Sequence, residues 1–485
     1  MLLRVDDLLG NYHKLIMDPV HGGIPVSKLE VALIDHPLFQ RLRFICQNDI
    51  LSLVFPGATH SRFLHSVGAM HVGGRMFMAM VENGLKKRKA GTSTEIESAT
   101  LEAISYFHRI VRCACLLHDS GHSSFSHQFS RTKAIQDILD TTETFDQLWA
   151  GIEYKAAYKK RPSHVEHEHY SVRVAYELLT QAKEQCSDIV FTDILALMET
   201  VDISVSDAFR AHANAIWPLV TGNKPSLPPS DFPEKFRALL SNIVSGELDA
   251  DRADYMLRDG FHSSVTIGGF NLDHLLSNLH FGMCDQTQWV GIAIAEKSLS
   301  SLEDFVYSRH QMYRQVYAHK TAQGFDWLLR AAIEEVMTEC DVRDFVTRSL
   351  CQLNLFQHLT DSYFWEAFRR FSMNTENSYS RCILNRIKTP HLATRSNLSE
   401  DEVETYKTFL AKEHGLDRTH IIATNLTARF TKIRGNYNSM KVLTKSPDGQ
   451  QVFRLIAQAS QFFEKFSDDR ITHFYIDPKT TIERL

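Results

Sequence analysis

The chain has 485 residues, room for roughly three domains at about 150 residues each, and 44% of them are hydrophobic, which suits a globular core and excludes global disorder. Fifty-three lysines and arginines against 58 aspartates and glutamates leave a net charge of −5, which argues against a general nucleic-acid binder or an electrostatic membrane binder. The surplus is histidine, 24 residues of the side chain that is both a proton carrier near pH 7 and the commonest metal ligand.

The opening MLLRVDDLLGNYHK has acids where a secretory signal needs an apolar run, and no stretch approaches the roughly 18 apolar residues of a membrane span. With eight cysteines and no CxxC spacing, we read reduced thiols and a cytoplasmic protein. Phe63, Val67, Met70, Gly74, Phe77 and Val81 step by three and four, as do Leu101, Ile104, Phe107, Val111 and Ala114, and each series predicts a helix. The polar stretch 85–98 between them reads as a loop. Helices are predicted over 167–183 and 188–201, a proline-rich connection over 221–235, a helix near 250–258 and a long one over 299–338. After about residue 345, THIIAT (419–424), KVLT (441–444) and HFYI (473–476) look like short strands. SPDGQ (446–450) is a turn, and GQQVFRLIAQASQFFEKF reads as an amphipathic helix after it. The expected fold is mainly α, with an all-helical catalytic bundle over 1–345 and a smaller mixed α/β regulatory or oligomerisation region over 346–485.

Four segments concentrate the chemistry: HSRFLHSVG (60–68), LLHDSGHSSFSHQFS (116–130), HVEHEHYS (164–171) and ELDADRADYMLRD (247–259). His118 and Asp119 follow an apolar helical run and precede Gly121, so they sit at a helix end where imidazole and carboxylate can meet one ion. With His65 and Asp251 they form a mixed nitrogen–oxygen set suited to a divalent ion such as Mn, Fe, Zn, Co or Mg, with positions left for water and a phosphate oxygen.

The order H…HD…D resembles the signature of the HD superfamily of metal phosphohydrolases. DPVHGG (18–23), FQRLRFICQ (39–47), FPGATHSRFLHSVG (55–68), HDSGHSSFSHQF (118–129), DADRADYMLRD (249–259) and YRQVYAHK (313–320) look like the deoxynucleotide triphosphohydrolases, the group of the sterile-alpha-motif-and-HD-domain protein and bacterial dGTPase-like relatives. No sterile alpha motif is expected ahead of the HD region. The resemblance implies an enzyme that converts a dNTP and water to deoxynucleoside and inorganic triphosphate. It implies His65, His118, Asp119 and Asp251 as metal ligands and His122, His127 and His167 in proton transfer or at the α-phosphate. Arg62, Arg252, Tyr255 and Arg309 would hold phosphates, with Tyr313 on the same stripe, Tyr317 under the sugar, and Gln47 with Asp259 on the 3′-hydroxyl. Arg309, Tyr313, Tyr317 and Lys320 recur as one helical face.

Where the family carries an acid three residues after the second histidine of the HD helix, this chain has Ser130; Glu166 or Glu168 could substitute. The resemblance further implies nucleotide effectors and a homo-oligomer, with a tetramer favoured. Lys14, Asp35, Gln40 and Arg43 match a guanine-selecting effector site, and Lys297 and Lys320 are further effector or triphosphate contacts; Met17, Gly23 and Ala295 depart from the adjoining one. The alternatives are an HD phosphodiesterase or nuclease, supported only by the basic clusters Lys86–Lys89 and Lys155–Arg161, and a nucleotide sensor with weak catalysis. Nucleic acid is not expected as a partner, and neither is a membrane.

Overall fold

The structure is a computed structural model and describes residues 13–89, 97–152, 162–185, 187–198, 204–222, 227–267, 269–284, 286–433, 437–447, 450–465 and 467–482. The basic cluster 155–161 and residues 90–96 of the predicted loop 85–98 lie outside them, and residues 85–89 of that loop are instead the end of a helix. The fold is mainly α with small sheets, as the periodicity predicts.

The chain enters through an antiparallel hairpin, β1 (Lys14–Asp18) and β2 (Gly22–Val26), with Met17 opposite Gly23. Ser27 then caps α1 (Lys28–Asp35) in a reciprocal box with Glu30. The glutamate does a second job: its carboxylate takes Arg112 at 2.6 and 3.0 Å, with both residues buried. Arg112 lies on α3 (Ser98–Leu117), which packs along α2 (Arg62–Lys89). The apolar stripes predicted on these two helices are buried, apart from Leu101, which is half-buried. Next come α4 (His167–Gln181) and α5 (Ala250–Ser263), the latter capped by Asp249 and packed against α2.

Three expectations are corrected. The body is not all-helical: β3 (Leu279–Cys284) and β4 (Trp289–Ala295) form a hairpin within it. The predicted helix over 299–338 is two, α6 (Leu299–Met312) and α7 (Lys320–Val336), separated by a π-helical turn at Tyr313–Tyr317 and a cap at His319. The segment after SPDGQ opens as a strand, because pairing with a neighbouring strand outweighs its helical pattern.

Helices continue past 345, notably α8 (Asp361–Asn374). Strands follow as β5 (His391–Ser396), then α9 (Glu400–His414), β6 (Ile421–Ala428), β7 (Met440–Lys445), β8 (Gln451–Leu455) and β9 (Asp469–Ile476). One sheet runs β5-β9-β6. Another runs β3-β4-β7-β8, with β4 and β7 parallel, so strands from either side of residue 345 share one sheet.

Candidate active site

Helix α3 stops at Leu117, and its last turn delivers His118 and Asp119. His118 Nδ1 donates to the Cys115 carbonyl at 2.7 Å, which commits the proton to that nitrogen and leaves Nε2 a bare lone pair. His65, one turn into α2, has the same arrangement: Nδ1 lies 2.8 Å from Asp254 Oδ2. Asp254 is an acceptor here, because although burial pushes its carboxyl up, the Arg258 guanidinium and its hydrogen bonds hold it well below the usual range. Both Nε2 atoms are buried without a hydrogen-bond partner.

Those two nitrogens face two carboxylates. Asp251 Oδ1 is 3.1 Å from His65 Nε2 and 3.6 Å from His118 Nε2, and Asp119 oxygens lie 3.5 Å from His118 Nε2 and 3.7 Å from His65 Nε2. Donors that share one ion at about 2.1 Å stand roughly 3–3.5 Å apart, so His65, His118 and Asp251 could hold a divalent metal, with Asp119 beside them and also within reach of His122 and His167. The same field shows on His65: burial lowers its pKa, but Asp251 and Asp254 outweigh that and raise it to about 10, so this spot favours positive charge.

Behind the ligands lies a fully buried network that the motif reading missed. Arg258 grips Asp254 at 2.8 and 2.9 Å and reaches Asp18 at 2.7 Å. His21 Nε2 meets the other Asp254 oxygen at 2.7 Å, and Asp18 accepts the Val20 and His21 amides. The DPVHGG segment thus orients a metal ligand through Asp254. A Cβ on Gly68 would sit 1.9 Å from Asp254, so glycine alone lets α2 and α5 approach here. The signal was present as acids and arginine at 251, 254 and 258, one side of one helix, together with Asp18 and His21.

Beside the metal set, His122, His127 and His167 form a second cluster. The His122 and His167 rings stack at 3.9 Å and His127 is edge-on at 5.1 and 5.4 Å. His122 Nε2 is 3.5 Å from Asp119. Burial, reinforced by the Arg62 charge, drives the His122 pKa well below its ordinary value, so the ring is neutral and able to take a proton. Gly121 places it: a Cβ there would lie 2.1 Å from the Ser171 amide, and Ser171 Oγ accepts the Gly121 N–H at 2.9 Å. Phe125 and Ser126 follow in the left-handed region, φ 48° and 44°, a strain of ~1–3 kcal/mol that the Asp361 carboxylate holds by accepting the Phe125 N–H at 2.8 Å. Its other oxygen takes the Cys46 N–H at 2.8 Å, so one acid on α8 ties both flanks of the site.

Ser130 donates to the His127 carbonyl at 3.2 Å and supplies no carboxylate. Glu168 stands 3.1 Å from His167 Nδ1, so the substitute proposed at Glu168 is in reach; Glu166 caps α4 instead. His164 and His169 serve local structure, with Asp140 and in the α4 cap.

A cavity of about 430 Å³ opens over both clusters, lined by Asp119, Asp251, His122, His127 and His167. Gln47, Arg62, Arg252, Tyr255, Asp259, Tyr313 and Tyr317 also face it. Arg62 pairs with Asp119 and donates to Ser126 Oγ at 2.6 Å. Asp259 is fully engaged, by His60 at 2.8 Å and the Tyr317 hydroxyl at 2.5 Å. Asp49 and Asp326, not singled out from sequence, also line it; burial raises both above the usual carboxyl range, Asp326 to about 6.

The single stripe from Arg309 to Lys320 is corrected. The π-helical turn adds a residue to the repeat, so Tyr313 and Tyr317 both face the cavity with rings 5.1 Å apart while the ends diverge. Arg309 donates to Glu247 at 2.7 Å and the Phe430 carbonyl at 2.9 Å and faces an adjoining chamber. Lys320 and Lys297 line neither space. At the expected effector surface Lys14 pairs with Asp35 at 2.9 Å, and Gln40 accepts from Arg43 at 2.8 Å and donates to the Ile34 carbonyl.

The family model described as the HD associated region matches residues 272–434. The chain is 26% identical over 393 residues to the human deoxynucleoside triphosphate triphosphohydrolase SAMHD1, a match covering 78% of this chain and 54% of that protein. An uncharacterized protein of Methanocaldococcus jannaschii is 26% identical over 83% of this chain and 68% of its own. Among solved structures, a phosphohydrolase from Bacteroides thetaiotaomicron superposes with a TM-score of 0.61 at 23% identity, covering 96% of this chain and 99% of the other. A hypothetical protein from Aquifex aeolicus gives 0.59 at 22%, covering 97% and 98%. Among the described residues no helix is long and apolar enough to cross a membrane. In its ordered motifs, its HD associated region and its likeness to SAMHD1 the chain resembles the HD-superfamily triphosphohydrolases.

Proposed function

We propose that the chain hydrolyses deoxynucleoside triphosphates to deoxynucleoside and inorganic triphosphate. The observation that carries the reading is the pair of orphaned Nε2 atoms on His65 and His118, opposed by Asp119 and Asp251 at the wall of a nucleotide-sized cavity. A divalent metal held there would supply Lewis-acid polarisation of an α-phosphate oxygen and of water. Arg62 and Arg252 hold the phosphate chain against that wall, and Tyr255 borders it. Tyr317 and Asp259, pinned to each other, give the sugar a rigid floor, with Gln47 Oε1 buried and unpaired beside it as an acceptor for a sugar hydroxyl. The neutral His122 takes a proton from water; His167, which burial lowers to about 4 and which Glu168 touches at 3.1 Å, gives one to the departing 5′ oxygen after the anionic substrate has favoured its charged form, and His127 faces the α-phosphate. The cavity residues fall within 1–345 apart from Leu426; we assign catalysis to 1–345 and regulation or oligomerisation to 346–485, which reaches the site through Asp361.

Lys14, Asp35, Gln40 and Arg43 form the nucleotide effector site of this reading, on a surface that also exposes Leu15, Met17 and Phe44, and a homo-oligomer would cover that surface. The test is a panel of dNTPs, rNTPs and a labelled oligonucleotide, with Mn and with Mg, each with and without added effector nucleotides. Release of triphosphate from dNTPs is the expected result. Release of phosphate or mononucleotides overturns it in favour of a phosphodiesterase, and binding without products in favour of a sensor.

A further inference from the structure

His60, the first residue of the HSRFLHSVG segment, does not line the catalytic cavity, and its side chain is fully buried. Two of its polar groups nevertheless end on residues that do line it. The backbone carbonyl accepts the Gln47 N–H at 3.0 Å, where residues 45–47 and 60–62 run antiparallel through a bridge between Cys46 and Ser61. The imidazole Nε2 lies 2.8 Å from Asp259 Oδ1, and the other oxygen of that carboxyl takes the Tyr317 hydroxyl at 2.5 Å. The ring lies flat against His262, with 4.4 Å between centroids and 19° between planes. Gly57 lets the chain close there, since a Cβ on it would lie 2.3 Å from the His262 carbonyl oxygen.

A buried imidazole can simply fill a core, and His108 does so, with both ring nitrogens buried and unpaired. His60 differs: Nδ1 has no partner, while Nε2 has the Asp259 carboxyl, which makes Nε2 the nitrogen that carries the proton. An N–H held to one oxygen and an O–H held to the other leave Asp259 a single orientation beside Tyr317. The same histidine fixes the backbone of Gln47, whose Oε1 is buried and unpaired. A deoxynucleotide esterified at its 5′ oxygen has one free sugar hydroxyl, the 3′. We infer that His60 is a positioning residue for the sugar: through Asp259 and Gln47 it sets the pocket that reads the 3′-hydroxyl, without touching the substrate itself. That role rests on the proposed reading of the cavity, although binding of the sugar can be measured without turnover.

The test compares turnover of a dNTP with that of its 2′,3′-dideoxy analogue by the metal-loaded full chain. Wild type prefers the dNTP by at least about tenfold in kcat/KM, as a site built around a substrate hydroxyl does. His60→Phe keeps a ring against His262 and the backbone bond to Gln47 but removes the N–H to Asp259. It loses at least about tenfold on the dNTP and less than about threefold on the dideoxy analogue, so the preference collapses. His60→Gln, whose amide can donate to Asp259, keeps most of the preference. Should His60→Phe fail to fold, His60→Asn, with an amide one bond shorter, shows the same collapse. Indifference of wild type to the 3′-hydroxyl, an unchanged preference in His60→Phe or His60→Asn, or a His60→Gln protein as indiscriminate as they are overturns the inference. Equal losses on both substrates with metal retained overturn it too, because they mark a histidine that only supports the fold. Calorimetry with deoxyadenosine and deoxyguanosine, each beside its 2′,3′-dideoxy analogue, repeats the comparison without catalysis. A protein that cleaves no dNTP, yet shows selective binding that His60→Phe abolishes, refutes the proposed hydrolysis and leaves His60 in its role. Cleavage of dNTPs with no 3′-hydroxyl preference does the reverse.

Discussion

The metal wall and the Lys14–Asp35 surface are both assembled from matched motifs, and they are built in opposite ways. At the wall, His65, His118, Asp119 and Asp251 come from three helix segments, and buried partners set where each imidazole keeps its proton. Arg258 and Asp18 then lock the arrangement from behind, each with no exposed side-chain surface. At the surface, Lys14 and Asp35 are each more than half exposed and hold only each other. Such a pair contributes about 0–1 kcal/mol and adopts its geometry at little cost. Geometry argues strongly for function only where desolvation makes the wrong arrangement expensive.

The largest expected effect breaks the wall. Asp119→Ala or His118→Ala should abolish both bound metal, measured by elemental analysis, and turnover, while circular dichroism keeps the helical signal. Full activity in Asp119→Ala would end the metal reading. His122→Ala and His167→Ala should each cost on the order of 10²-fold in kcat with metal retained, which separates proton transfer from metal binding. Asp254→Asn should lower metal affinity by about 10–100-fold, the usual weight of a carboxylate behind a ligating histidine. It should also destabilise the fold, and the sign with pH follows from its depressed pKa: the contribution is whole above the unfolded value of about 3.9 and fades as pH falls toward the lower folded value. Melts of Asp254→Asn and wild type should therefore converge in acid and stay apart near neutrality.

The surface should respond weakly in stability and specifically in regulation. Asp35→Ala should change unfolding free energy by less than about 1 kcal/mol, yet lower activity at limiting effector and shift mass by light scattering toward smaller species. Indifference of mass and rate to every nucleotide would remove the effector reading and leave the wall intact. Smallest of all, Ser130→Asp should raise the rate or leave it unchanged; a collapse would reveal a role for the Ser130 hydroxyl beyond its bond to His127.

Much of the wall could be read in the chain because its ligands are rare residue types at fixed places in helical periods. What escaped reading depends on distant partners. Asp254 looks like any helical acid until His21 and Arg258 close on it. Asp361 lies 236 residues from Phe125, and no local pattern announces their bond. The strand β8 escaped for the same reason, since Gln451–Leu455 is chosen by its ladder with β7. The turn at Tyr313–Tyr317 hides in a pattern that a regular helix would satisfy equally well.

The two-handed grip of Asp361 has a mechanical consequence. One flank of the cavity, at Cys46, and the other, at Phe125, hang from the two oxygens of a single carboxylate, each at 2.8 Å. The two flanks therefore share one acceptor group, and replacing Asp361 by alanine removes both bonds together.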